Sequence, residues 1–152
     1  MSLNMSAITE LNKVLNDFLE PFDCSAYFND DFCYWYVGSK INYTLVVTDN
    51  QADSFLAFAE SLFPSIHADI FLWSFLHELG HHETLDDFDE ETHLLYRTIV
   101  NNENLSDEEY YNLPLEKAAT EWAGNYMLSH ISEISKLWNK IAPLIQQFYK
   151  EN

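Results

Sequence analysis

Cations are scarce in this 152-residue chain: 7 Lys+Arg stand against 25 Asp+Glu, and 7 − 25 gives a net charge of −18. Phosphate backbones and anionic lipid surfaces both need cationic neutralisation, so the balance argues against direct binding of nucleic acid or membrane. Glycine (3) and proline (4) are also few, which excludes collagen-like and linker-type chains. Cysteine occurs only at Cys24 and Cys33, too few for a disulfide framework. Two reduced thiols in a cytoplasmic protein are the expectation. No run reaches about 18 consecutive apolar residues, the length a membrane-spanning helix needs. The opening residues lack a basic stretch followed by an apolar one, so no secretory signal is expected.

What is present builds a core. Apolar residues make up 47% of the chain and aromatics 16%. A chain of this length fits a single domain over 1–152 and buries roughly 70% of its unfolded surface, so it needs neither disulfide nor metal merely to fold. Ile8, Leu11, Val14, Leu15, Phe18 and Leu19 recur at helical spacing, which predicts an amphipathic helix over 4–20 ending at Pro21. Residues 25–47 turn aromatic and β-branched: Phe32 to Val37, then Ile41, Tyr43, Leu45, Val46 and Val47. Gly38-Ser39-Lys40 separates the two runs, predicting a hairpin, with a third short strand around 26–28. Asn50 is placed to cap a helix through Phe63. A very apolar helix is expected over 66–82, a helix opened by Pro114 to about Leu128, and a last one kinked or broken at Pro143. Residues 83–109 read as an acidic, solvated loop with a short helix near 93–100, and as a candidate lid or basic-partner surface. The order helix, strands, helices makes an α+β domain, mostly helical, with a small antiparallel sheet.

The strongest chemical signal is His77-Glu78-Leu79-Gly80-His81. Random order would yield about 0.02 such HExxH matches in a chain of this composition. On a helix, His77 and His81 share one face one turn apart and can ligate one Zn²⁺ at roughly 2 Å. Glu78 flanks the ion without ligating it and can act as general base. A catalytic zinc site takes a third protein ligand. Asp87 stands where a compact extension of the motif would place one, but Thr84 poorly replaces the glycine such a turn needs. Glu116 and Glu121 qualify from the later helix and lie about 140° apart around it. Glu116 shares its face with the small residues Ala119, Thr120 and Ala123, and is preferred over Asp87 and Glu121.

These residues resemble a family. Phe75-Leu76-His77-Glu78-Leu79-Gly80-His81-His82, followed by Glu116-Lys117-Ala118-Ala119-Thr120-Glu121-Trp122-Ala123, is similar to the ImmA/IrrE-type metallopeptidases over 66–128. The resemblance implies a zincin-like fold with the sheet packed on the active-site helix. It also implies Zn²⁺ on His77, His81 and Glu116, with Glu78 as general base. The implied activity is peptide-bond hydrolysis in a protein substrate, often a regulatory protein. Thr120 stands where that family has Asn or Asp, which predicts a weak contact, or none, to a ligand histidine.

Other side chains carry less. His82 lies about 100° around the helix from His81 and reads as polar surface. His93, Tyr110, Tyr111 and Tyr126 have the chemistry to stabilise an oxyanion, but no spacing singles one out. His67 and His130 read as ordinary, and Tyr34-Trp35-Tyr36 as sheet packing. The acidic surface favours basic substrate segments. The alternative function is a non-catalytic acidic binding protein that mimics DNA for a DNA-binding partner.

Overall fold

The computed structural model describes residues 5–30, 33–45 and 49–151. The expected strand residues Phe32, Val46 and Val47, and the capping side chain of Asn50, lie outside the described residues. The chain forms α1 (Ser6–Leu19), β1 (Ser25–Phe28), β2 (Trp35–Val37), β3 (Lys40–Tyr43), α2 (Asp49–Leu62), α3 (Ile70–Thr84), α4 (Glu90–Asn102), α5 (Asp107–Tyr111), α6 (Pro114–Ser129) and α7 (Ile131–Glu151). It is a mostly helical α+β arrangement. Among the described residues no helix is long and apolar enough to cross a membrane.

Helix α1 buries Ile8, Leu11, Leu15 and Leu19 of the stripe read from its periodicity, together with Ala7, against α7; Val14 and Phe18 of that stripe are partly buried. After a short 3-10 turn containing Pro21, Asp23 takes a left-handed conformation (φ 57°) and releases the chain into β1. The two-residue turn at Gly38 (φ 54°) and Ser39 (φ 63°) has both centres left-handed, the geometry that matches strand twist in tight hairpins. It joins β2 and β3 antiparallel, as expected.

The third strand corrects the expected sheet. β1 pairs parallel to β3, with Ala26 opposite Ile41, so the order is β1-β3-β2 and the sheet is mixed. The connection from β1 to β2 spans two strand spacings, about 10 Å, and β3 fills the gap. Asn16 of α1 holds β1 from its other side: its Nδ2 donates to Ala26 O (3.1 Å), and its Oδ1 accepts from Ala26 N (2.9 Å). One amide side chain thus substitutes for a neighbouring strand. Nothing in the alternation of residues 25–28 could distinguish parallel from antiparallel pairing.

Helix α3 begins later than its apolar run suggests. Phe63 O accepts from Ile66 N in a turn, and Asp69 caps the helix by accepting from Phe71 N (2.8 Å). From Phe71 to Gly80 every residue is buried, between the sheet on one side and α6 on the other. Helix α6 comes close to α3 at Gly80. A Cβ there would lie 2.4 Å from Ala119 O and 2.9 Å from its Cα. A hydrogen at Gly80 and a methyl at Ala119 are what allow the two helices to touch, and this contact sets the distance across which His81 and Glu116 meet.

Of the two outcomes expected at Pro143, the break does not occur: helix α7 runs continuously through it, anchored by Ile134, Leu137, Ile141 and Phe148 in the core. A further expectation is corrected. The acidic stretch is mainly helical. Asp89 caps α4 by accepting from Thr92 N, and Ser106 and Glu109 form a reciprocal capping box on α5. The acidic residues in these first turns favour helix starts, which is why charge density alone misread them as loop.

Candidate metal centre

Helix α3 places His77 and His81 on one face, and α6 sets Glu116 opposite them. Glu116 Oε1 lies 3.0 Å from His77 Nε2 and 3.2 Å from His81 Nε2. His77 and Glu116 are 6% and 3% exposed, so this is a buried polar cluster and must be internally satisfied. The Glu116 carboxylate outweighs the burial that opposes charge on His81, so that imidazole is held above its ordinary value. Burial likewise opposes charge on Glu116, but hydrogen bonds from His77 and His81 hold it well below its ordinary value.

Thr120 fixes one tautomer. Its hydroxyl donates to Glu116 O (3.3 Å), leaving a lone pair to accept from His77 Nδ1–H at 2.9 Å. This corrects the expectation of a weak contact or none: a threonine reaches the ring because α6 packs so closely on α3. With a proton on Nδ1, His77 Nε2 needs a second cation to meet the Glu116 oxygen 3.0 Å away: either a further proton, which makes the hydrogen bond to Glu116, or a metal ion. Around an ion with bonds of about 2.0 Å, tetrahedral ligands are separated by about 3.3 Å. The two separations are close to that edge, and two imidazoles with one carboxylate form a donor set that suits a borderline divalent cation such as zinc or iron.

The remaining Glu116 oxygen is also engaged. Tyr96 of α4 donates to Oε2, and Tyr110 lies beside both groups. Burial, reinforced by the Glu116 charge, pushes both phenols far up, so they remain donors at any physiological pH. Glu78 is 8% exposed and has no side-chain hydrogen-bond partner among the described residues. Its carboxylate oxygen and the nearest nitrogens of His77 and His81 all lie within 4.8 Å of one another. Burial raises its pKa against the lowering effect of the two histidines. A buried carboxylate with a raised pKa beside a candidate cation site is well placed for proton transfer.

Two cavities meet at this cluster, sharing Tyr34, Glu78, Tyr110 and Glu116. The larger, about 590 Å³, lies between β2 and α4; the smaller, about 330 Å³, lies toward α2 and α5.

The other candidates separate. Asp87 and Glu121 are exposed and line neither cavity. His82 is held away from the cluster: Nε2–H donates to Phe22 O (2.8 Å) and Nδ1 accepts from Tyr36 (2.8 Å). His93 binds Leu85 O and faces the larger cavity; Tyr111 packs on Phe55 and Phe58 at the smaller one. Tyr126 stacks between Trp122 and His130 and lines neither cavity. Tyr34, Trp35 and Tyr36 line the larger cavity; Trp35 and Tyr36 belong to β2, and Tyr34 precedes it. Tyr96 lies inside the short helix expected near 93–100, but no motif singles it out. Its spacing of three from His93 would have placed both on one helix face. The chain matches no family model, no curated protein and no solved structure.

Proposed function

We propose that the chain is a zinc-dependent metallopeptidase on a zincin-like fold, of the ImmA/IrrE type, hydrolysing a peptide bond in a protein substrate. The observation that carries this reading is the convergence of His77 Nε2 and His81 Nε2 on one oxygen of Glu116, with Glu78 facing the same cavities.

His77, His81 and Glu116 hold the ion. When bound, zinc supplies Lewis acidity toward the scissile carbonyl and the attacking water. Glu78 supplies the proton transfers. Its carboxylate takes a proton from the attacking water and passes it to the leaving nitrogen. Thr120 keeps the His77 proton on Nδ1, and Tyr96 keeps Glu116 from turning its second oxygen inward. Tyr110, protonated and lining both cavities beside Glu116, is a neutral donor for developing negative charge on the substrate oxygen.

The substrate reading follows from charge. A surface at −18 attracts basic protein segments and accelerates their encounter at low salt. The test is hydrolysis of denatured, basic test proteins by zinc-loaded wild type and Glu78→Gln. Loss of cleavage in the variant with zinc retained supports the assignment. Cleavage that persists unchanged sinks it.

A further inference from the structure

The sequence contains a single arginine, Arg97, and it lines the larger cavity. In a chain with 25 carboxylates an arginine should find a partner easily, yet no ion pair joins Arg97 to any carboxylate among the described residues. Its own helix offers none. The positions three and four residues away are Leu94, His93, Val100 and Asn101, so no helical charge pair is available. The catalytic carboxylates are not its partners either. Glu116 is bound on one oxygen by the histidines and on the other by Tyr96. Glu78 forms no ion pair with Arg97 among the described residues.

Helix α4 has little reason to carry this residue for stability. It buries no side chain of its own. His93, Tyr96 and Arg97, at spacings of three and four, form the face that borders the cavity, with Arg97 exposed to solvent at its rim; Leu94 and Leu95 are more than half exposed. The face supplies a phenol bound to Glu116 and, one residue on, a guanidinium with its five donors available. A planar guanidinium fork matches a carboxylate in two parallel hydrogen bonds, which an ammonium cannot do.

We propose that Arg97 is a specificity residue that binds a carboxylate of the peptide lying in the larger cavity, between β2 and α4. The proposal rests on the peptidase reading for its substrate class. It also refines that reading: the outer surface draws a basic protein, and the cavity selects within it a segment with a carboxylate close to the bond to be cut. That carboxylate belongs either to an Asp or Glu side chain or to a free chain terminus.

The test separates binding from chemistry. Zinc-loaded Glu78→Gln protein, with Arg97 intact or as Arg97→Ala or Arg97→Lys, is titrated with N-acetylated, C-amidated peptides that differ at one position as Glu, Gln or Lys. A fourth peptide carries Gln with a free C-terminal carboxylate. Binding is read from tryptophan fluorescence, and hydrolysis is followed in parallel with Glu78 restored. The expected result is about tenfold tighter binding of a carboxylate peptide than of its Gln counterpart, lost in Arg97→Ala and not restored by Arg97→Lys. Preference for the Glu peptide identifies a side-chain carboxylate; preference for the free terminus identifies an exopeptidase-like site. Equal binding of Glu and Gln peptides, with no gain from the free terminus, overturns the proposal even if hydrolysis is robust. Arg97-dependent carboxylate binding without hydrolysis leaves the proposal standing and removes the peptidase reading instead.

Discussion

Tyr96 donates its hydroxyl proton to the Glu116 oxygen that the two histidines do not use. A residue from the acidic middle of the chain therefore orients the carboxylate of α6. Tyr96→Phe removes that donor without changing the ring. The expected outcome is a 10- to 100-fold loss of zinc affinity, roughly the usual cost of deleting a partner of a metal ligand, measured by competition with a chromogenic chelator. An unchanged affinity would mean that Glu116 is held by packing alone.

Gly80 tests the helix contact beneath the site. In Gly80→Ala the new methyl meets backbone atoms of Ala119, which cannot swing aside as a side chain would. The expected loss is about 1–3 kcal/mol in urea unfolding, because α3 must move away from α6. Zinc affinity should fall in the same variant, since that movement separates His81 from Glu116.

Metal-free protein should lose stability as pH rises past neutrality. A group held above its ordinary value stabilises the fold below that value and ceases to do so as pH climbs through its folded pKa. His81, ordinarily 6.5, is such a group, and Glu78, ordinarily 4.5, acts in the same direction. Glu116 works oppositely. Held low, it stabilises above its ordinary 4.5 and ceases only as pH falls through its depressed folded value. Urea unfolding in chelator from about pH 5 to about pH 8 should show the decline. With zinc added, the stabilisation should grow with pH, because ligation requires neutral imidazoles. Metal-free stability that does not change across this range would contradict the arrangement.

The cysteines should react unequally. Burial pushes the Cys24 thiol up to about 11, while Cys33 is exposed. Alkylation of native protein at neutral pH, followed by intact mass, should modify Cys33 first and reach Cys24 only as the chain opens. Simultaneous modification would place Cys24 nearer the surface than the structure does.

Much of this was legible in residue order, and the exceptions have physical causes. The α1 stripe, the Gly38-Ser39 turn and the helix begun by Pro114 follow from local rules that tertiary structure did not override. His77, Glu78 and His81 could be placed together because four residues make about one helical turn. The partner Glu116 required a longer argument, from the small residues on its face, and the Gly80–Ala119 contact is its physical counterpart. Strand direction was not legible, because the alternation of residues 25–28 is the same for parallel and antiparallel pairing. Tyr96 falls within the expected short helix near 93–100, but its partner Glu116 lies 20 residues on, and no local pattern marks that pairing. The acidic helix starts at Asp89 and Ser106 resemble, in composition alone, acidic residues in a loop.

The most direct measurement is metal content. Mass spectrometry of untagged protein, purified without chelator and dialysed after zinc addition, should find about one zinc per chain in wild type. His77→Ala and Glu116→Gln should each lose it, while Glu78→Gln should retain it. Wild-type protein that holds no zinc after addition would contradict the metal centre, and with it the chemistry assigned to Glu78.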